Sequence, residues 1–316
     1  MSSEIPEPSA EVEAAPEAIE VEEDSLPESE GSQWIELPSG EALSHGEAGE
    51  VMKVAPTQVV LVAGEDDSGK TSLLCGVYEQ FSNGDFAGHL FCGSRTLRAF
   101  ERRSFLQRAE SGLKNPDTER TRLAVGQLAL LHLELQDKGS GERIGLLATD
   151  LAGEAFRFIR NDPKECERYP VLGRIDCVTL LLDCERLIDR NERHGHVNST
   201  RTILRSLLQS GTLRTGVPVI LALSKWDLIE GAAARKQAEK DAREVLAAAG
   251  ESPTEVLKIA AAPVKTGSSV RAGYGLASLL GKWLDADPPA AEIPGIEGAE
   301  APARATSAFD LFQGEE

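Results

Sequence analysis

Residues 59–72 read Val-Val-Leu-Val-Ala-Gly-Glu-Asp-Asp-Ser-Gly-Lys-Thr-Ser: an apolar run, a polar turn bracketed by glycines, and the start of a helix-forming stretch. The apolar run 59–63 has the length and character of a buried strand, and 71–81 reads as a helix. Between them, Gly64, Glu65, Asp66, Asp67, Ser68, Gly69, Lys70 and Thr71 fit the phosphate-binding pattern G-x-x-x-x-G-K-[ST] in its strand-to-helix setting. Glycines let successive backbone N–H groups face phosphate oxygens, and the helix start adds partial positive charge. Lys70 can reach terminal phosphates, the Thr71 hydroxyl can hold Mg²⁺, and Ser72 adds a second hydroxyl to the first turn. The bland alternative, a chance match, fits the context poorly.

Further apolar runs of strand length occur at 128–135, 144–149, 177–182, 217–223 and 256–261, and helical patterns at 200–209, 232–249 and 275–284. Continuous apolar strands alternating with amphipathic helices imply an α/β sheet covered on both faces. The Gly-rich link 137–141 suits a hairpin, so one strand is expected to be antiparallel. The expectation is a mostly parallel, six-stranded sheet with one antiparallel strand. A connection of about forty residues, 83–122, is long for this architecture. It carries Arg95, Arg98, Arg102, Arg103, Arg108, Lys114, Arg120 and Arg122, with a short helix near 97–108 and most arginines on a solvated face.

The formal charge of −19 is unevenly placed. Residues 1–55 carry about −14, residues 287–316 about −6, and residues 56–286 about +1. Both ends are rich in Pro, Glu, Ala, Gly and Ser and are expected to be disordered acidic tails. This gives three regions: tail 1–55, a phosphate-loop domain 56–286, and tail 287–316. Trp34, Ile35 and the Phe309-Asp310-Leu311-Phe312 stretch are candidate docking motifs within the tails. Without a broad basic surface, nucleic acid is not an expected partner. No apolar stretch of membrane-spanning length and no basic, apolar leader is seen, so a cytoplasmic, non-membrane protein is expected. Five cysteines without C-x-x-C spacing read as free thiols. His194 and His196 read as loop residues.

Two further motifs carry chemistry. The strand at 144–149 runs into Asp150-Leu151-Ala152-Gly153, a D-x-x-G in which Asp150 would hold Mg²⁺ through water and the Gly153 amide would sense a γ-phosphate. An Asp at a strand end is otherwise an ordinary turn residue. The strand at 217–223 runs into Ser224-Lys225-Trp226-Asp227, similar to the guanine-recognition pattern [N/T]-K-x-D. A carboxylate there accepts from N1–H and N2–H₂ of guanine, a donor pair that adenine lacks. Lys225 would lie along the base plane. Residues 259–262 leave only the Ala261 amide as a weak match to the S-A-K pattern that approaches the guanine carbonyl.

In this order the three motifs resemble a GTPase of the translation-factor-related (TRAFAC) class. The stretches 86–103, 116–121 and 224–228 further resemble the bacterial double-GTPase type 1 domain. The resemblance covers residues 59–285 and implies a P-loop NTPase domain binding GTP or GDP with Mg²⁺, and a part in multi-gene bacterial systems suspected of roles in biological conflict. In that frame Lys70, Gly153 and Glu154 are the candidate catalytic residues. Glu154 stands where many small GTPases place Gln, so slow hydrolysis is expected. Thr71, Asp150 and Thr121 are the candidate metal ligands, with Thr118 and Thr96 as alternatives to Thr121. Asp67 is a candidate for binding K⁺ beside the phosphates. The expected function is a nucleotide-dependent switch acting on a protein effector. A non-catalytic scaffold and an ATPase are the rivals.

Overall fold

The computed structural model describes residues 38–107, 128–262 and 270–287. Its strands are β1 (Thr57–Ala63), β2 (His89–Gly93), β3 (Ala129–Asp137), β4 (Arg143–Asp150), β5 (Cys177–Asp183), β6 (Val219–Ser224) and β7 (Thr254–Lys258). They form one sheet in the order β2-β3-β4-β1-β5-β6-β7. Only β3 runs against the others: it pairs antiparallel with β2 and β4, and every other pairing is parallel. The α/β class and the single reversed strand are as expected, but the sheet has seven strands rather than six. The additional strand, β2, is a five-residue edge strand with alternating exposure, and it lies inside the long connection. So short a pattern is hard to tell from loop.

The helices are α1 (His45–Val54), α2 (Lys70–Gln80), α3 (Leu97–Gln107), α4 (Gly153–Asn161), α5 (Cys184–Ile188), α6 (Arg193–Gln209), α7 (Ala232–Leu246) and α8 (Leu276–Leu284). Successive residues of β1 point to opposite faces. Val59, Leu61 and Ala63 join a core with buried side chains of α1, α4, α6 and α7. Val60 and Val62 join a second core with those of α2, α3 and α8. Every residue of β1, β5 and β6 is buried, which is why these strands read as unbroken apolar runs.

Two expectations are corrected here. The N-terminal tail does not extend to residue 55. Ser44 starts α1 with a reciprocal capping box to Glu47, and Leu43 exchanges backbone hydrogen bonds of 2.9 and 3.0 Å with Leu130. Ala48, Val51 and Met52 are buried, so this acidic segment folds through a sparse apolar stripe. His194 and His196 lie in α6 rather than in a loop, and His196 is buried. The docking-motif candidates at 34–35 and 309–312 fall outside the described residues, as do Thr118 and Thr121. Among the described residues no helix is long and apolar enough to cross a membrane, and all five cysteines are free thiols.

Candidate functional site

The sequence motifs meet at the C-terminal ends of the central strands, where ligands bind in open α/β sheets. β1 ends at Ala63 and α2 begins at Lys70, with Gly69 as its N-cap. Gly69 has φ +93° and Asp67 has φ +59°, left-handed conformations that glycine adopts freely and aspartate tolerates. A Cβ on Gly64 would lie 2.6 Å from Ser68 Oγ and 3.2 Å from Leu181 Cβ, so the turn closes only around glycine. No side chain caps α2, leaving its first-turn N–H groups without intrahelical acceptors. The Ser68 hydroxyl is buried with no hydrogen-bond partner. Thr71 and Ser72 are half-buried in the first turn of α2. Lys70 folds back, donating to the carbonyls of Gly64 (3.0 Å) and Glu65 (2.7 Å). Burial pushes its ammonium down to about 8, against the pull of Asp66, Asp150 and Asp67.

Two of the three loop acids, Glu65 and Asp66, are paired with arginines. Glu65 accepts from Arg160 (3.3 Å), Arg186 (3.0 Å), His196 Nδ1 (2.6 Å) and the Ser199 hydroxyl. The Asp183 amide donates to His196 Nε2 at 2.9 Å, so the ring proton sits on Nδ1 and is given to Glu65. Burial alone would raise the Glu65 carboxyl. The hydrogen bonds from His196 and Ser199 and the charge of Arg186 outweigh it and hold the group at about 2. Arg157 pairs with the Asp66 carboxylate, and Arg186 also donates to the Asp66 carbonyl. Asp67 is exposed.

Asp150 ends β4, and the β1–β4 register, with Val60 opposite Ala148, sets it beside the end of β1. Its carboxylate is held by a buried arginine: Arg103 Nε and Nη2 both reach Oδ2, at 3.0 and 2.8 Å. Arg98 and Arg102 are exposed beside Glu41, the solvated fate expected of this arginine run; Arg103 departs from it. The signal was present in the spacing. Among the described side chains of α3, Ala99, Phe100, Arg103 and Ser104 are the buried ones, an i, i+4 face on which Arg103 is the single charge. Gly153 packs on the phosphate loop, since a Cβ there would lie 2.0 Å from Asp66 Oδ1 and 2.6 Å from the Asp66 amide nitrogen. Glu154 is exposed on the first turn of α4. Thr96 is committed to structure, its hydroxyl bonded to the backbone of His132, which takes it out of the metal-ligand candidates.

The Ser224–Asp227 motif is joined to the phosphate loop directly. Ser224 Oγ donates to the Ser68 carbonyl at 2.8 Å, so a short hydroxyl still makes the link from this first motif position. Lys225, with φ +52°, is fixed by Asp183 (2.9 Å) and Glu185 (2.7 Å). Burial opposes its charge, but these hydrogen bonds outweigh it and leave Lys225 more basic than an ordinary lysine. Asp227 is buried, and its Oδ2 has no hydrogen-bond partner. Ala261 packs against α2, where a Cβ on Gly76 would lie 3.1 Å from its own.

These features suit a purine nucleotide and its metal. An orphaned buried carboxylate oxygen calls for N–H donors, and an uncapped helix start calls for an anion. Thr71 and Asp150 offer a hydroxyl and a carboxylate, the hard oxygen donors with which Mg²⁺ supplements phosphate oxygens. Among the described residues no group of three or more His, Cys, Asp or Glu converges as a metal site independent of nucleotide. No curated protein matches the chain. The family model described as Double-GTPase 2 matches residues 58–284. The match supports the expected double-GTPase resemblance, through the second type rather than the first, and with it GTP binding. By that match over most of its length, the chain belongs to the double-GTPase family.

Proposed function

We propose that this protein binds GTP and GDP with Mg²⁺, hydrolyses GTP slowly and acts as a nucleotide-dependent switch on a protein effector in a multi-gene bacterial system. The observation that carries the reading is the Asp227 carboxylate, buried with one oxygen unpartnered and linked through Ser224 to the phosphate loop. In the proposed complex Asp227 accepts from the guanine donor pair, and Lys225, held by Asp183 and Glu185, lies along the base. The Gly64–Thr71 turn and Lys70 grip the phosphates, with Asp67 at the exposed tip as the K⁺ candidate. Bound Mg²⁺ supplies positive charge where negative charge builds during phosphoryl transfer. Slow turnover follows from Glu154, which stands exposed on the first turn of α4 at the position where many small GTPases place Gln. The pairing of Asp150 with Arg103 also fits the non-catalytic scaffold, and phosphate release measured with and without a partner separates the two.

The test of the base reading is competition against a fluescent-labelled guanine nucleotide. GTP should displace the probe and ATP should not, and Asp227→Asn should weaken GTP by roughly 10²-fold or more, since it replaces an acceptor with a donor facing donors. Equal displacement by ATP and GTP ends the guanine assignment.

A further inference from the structure

We propose that Arg103 is the residue that sets the metal dependence of nucleotide binding: it occupies Asp150 when no metal is present and leaves it when a magnesium–nucleotide complex binds. The inference rests on the nucleotide reading above and concerns a residue outside its motifs. Both donors of Arg103 fall on one oxygen, Asp150 Oδ2, and the two side chains are 8% and 1% exposed. The third guanidinium nitrogen, Nη1, donates to the Ala99 carbonyl at 3.1 Å, so the group is oriented by its own helix. α3 is in turn fixed on α2: Phe100 stacks on Tyr78 with ring centroids 4.8 Å apart, and Tyr78 Oη bonds the Glu101 carboxylate at 2.5 Å. Arg103 is thus placed against Asp150 by packing, as an internal counter-ion.

Two cations drawn to one buried carboxylate compete for it. A guanidinium at 2.8 Å and a hydrated divalent ion served by the same group would repel strongly in so dry a setting. Whichever leaves must be compensated, because a buried guanidinium without its partner is costly. In the proposed exchange Arg103 shifts when the metal complex takes Asp150, and the turn of α3 that carries it shifts or loosens with it. Conversely, Arg103 neutralises Asp150 in the absence of metal, so nucleotide phosphates meet a balanced pair there rather than a bare carboxylate. The wild-type chain should therefore bind nucleotide with only weak dependence on Mg²⁺.

The experiment uses the full chain and a fluorescent GDP analogue, with affinities measured in EDTA and in saturating Mg²⁺. For Arg103→Gln the ratio of the two dissociation constants should rise at least about fivefold over wild type, the lower end of ordinary site-to-site coupling. The rise should come chiefly from weaker binding in EDTA, where Asp150 is left uncompensated. An unchanged ratio overturns the proposal. A second measurement needs no variant: hydrogen exchange of the α3 amides in the GDP-bound wild type. Adding Mg²⁺ should speed exchange at and around Arg103, and unchanged α3 protection also overturns the idea. Failure of the wild type to bind the probe in either buffer would remove the nucleotide reading itself, a result distinct from both.

Discussion

Glu65 occupies the second position of a phosphate loop, where a free carboxylate would repel the ligand, and distant parts of the chain neutralise it. The acids of the loop are plain in the sequence. Their fate was not, because Arg160, Arg186 and His196 lie 95 to 131 residues away and reach the loop only through the fold. The same holds for Arg103, 47 residues from Asp150. Motif residues are legible because local geometry fixes their spacing, whereas the charges that balance them obey no spacing rule. For Glu65 the consequence is measurable. Its carboxyl is held at about 2, below its ordinary 4.5, so its contribution to stability is fully present above about pH 4.5 and is lost as pH falls toward 2. Glu65→Gln should lower unfolding stability at pH 7 by about 1–3 kcal/mol. It should also shrink the loss of stability between pH 5 and pH 3, as read from urea midpoints. Parallel losses in the two proteins would mean the network contributes nothing.

At the scale of elements, legibility followed length and burial. β1, β5 and β6, buried on both sides, announced themselves as apolar runs, and α7 as a long amphipathic pattern. β2 and α1 did not. β2 is short and at the edge, and α1 is embedded in acidic, Pro- and Glu-rich sequence whose composition argues for disorder. What composition misses is the capping box at Ser44 and the stripe of Ala48, Val51 and Met52, which rests on the core shared with α4 and α6. A chain starting at residue 38 should therefore melt like the full-length protein. One starting at residue 56 should lose at least about 3 kcal/mol, from the apolar side chains of α1 and Leu43, which is roughly 6–12 °C in melting temperature for a domain of this size. Calorimetry of the two truncations checks this. Equal melting temperatures would show that α1 merely lies against the sheet.

At the scale of the whole molecule, the proposed site would draw on the phosphate loop after β1, Asp150 at the end of β4, Ser224 at the end of β6 and Ala261 beyond β7. Neither half of the sheet holds it alone, and the Ser224–Ser68 hydrogen bond is the stitch between them. The charge of the chain is arranged quite differently. Residues 1–37 carry about −12 and residues 288–316 about −5, which leaves residues 38–287 near −2. The ligand-binding part is thus almost neutral, while a field that repels a nucleotide polyanion comes from the ends. Such a field reaches about 30 Å at 0.01 M salt and about 3 Å at 1 M, and it acts on encounter more than on the closed complex. Removing both ends should therefore speed association of a fluorescent guanine nucleotide severalfold at low ionic strength. The advantage should fade as salt rises, with dissociation rates unchanged throughout. Stopped-flow traces of full-length and trimmed chains across a salt series read this directly. Association rates that coincide at low salt would show that the acidic ends lie too far from the site, or are too well screened, to govern its access.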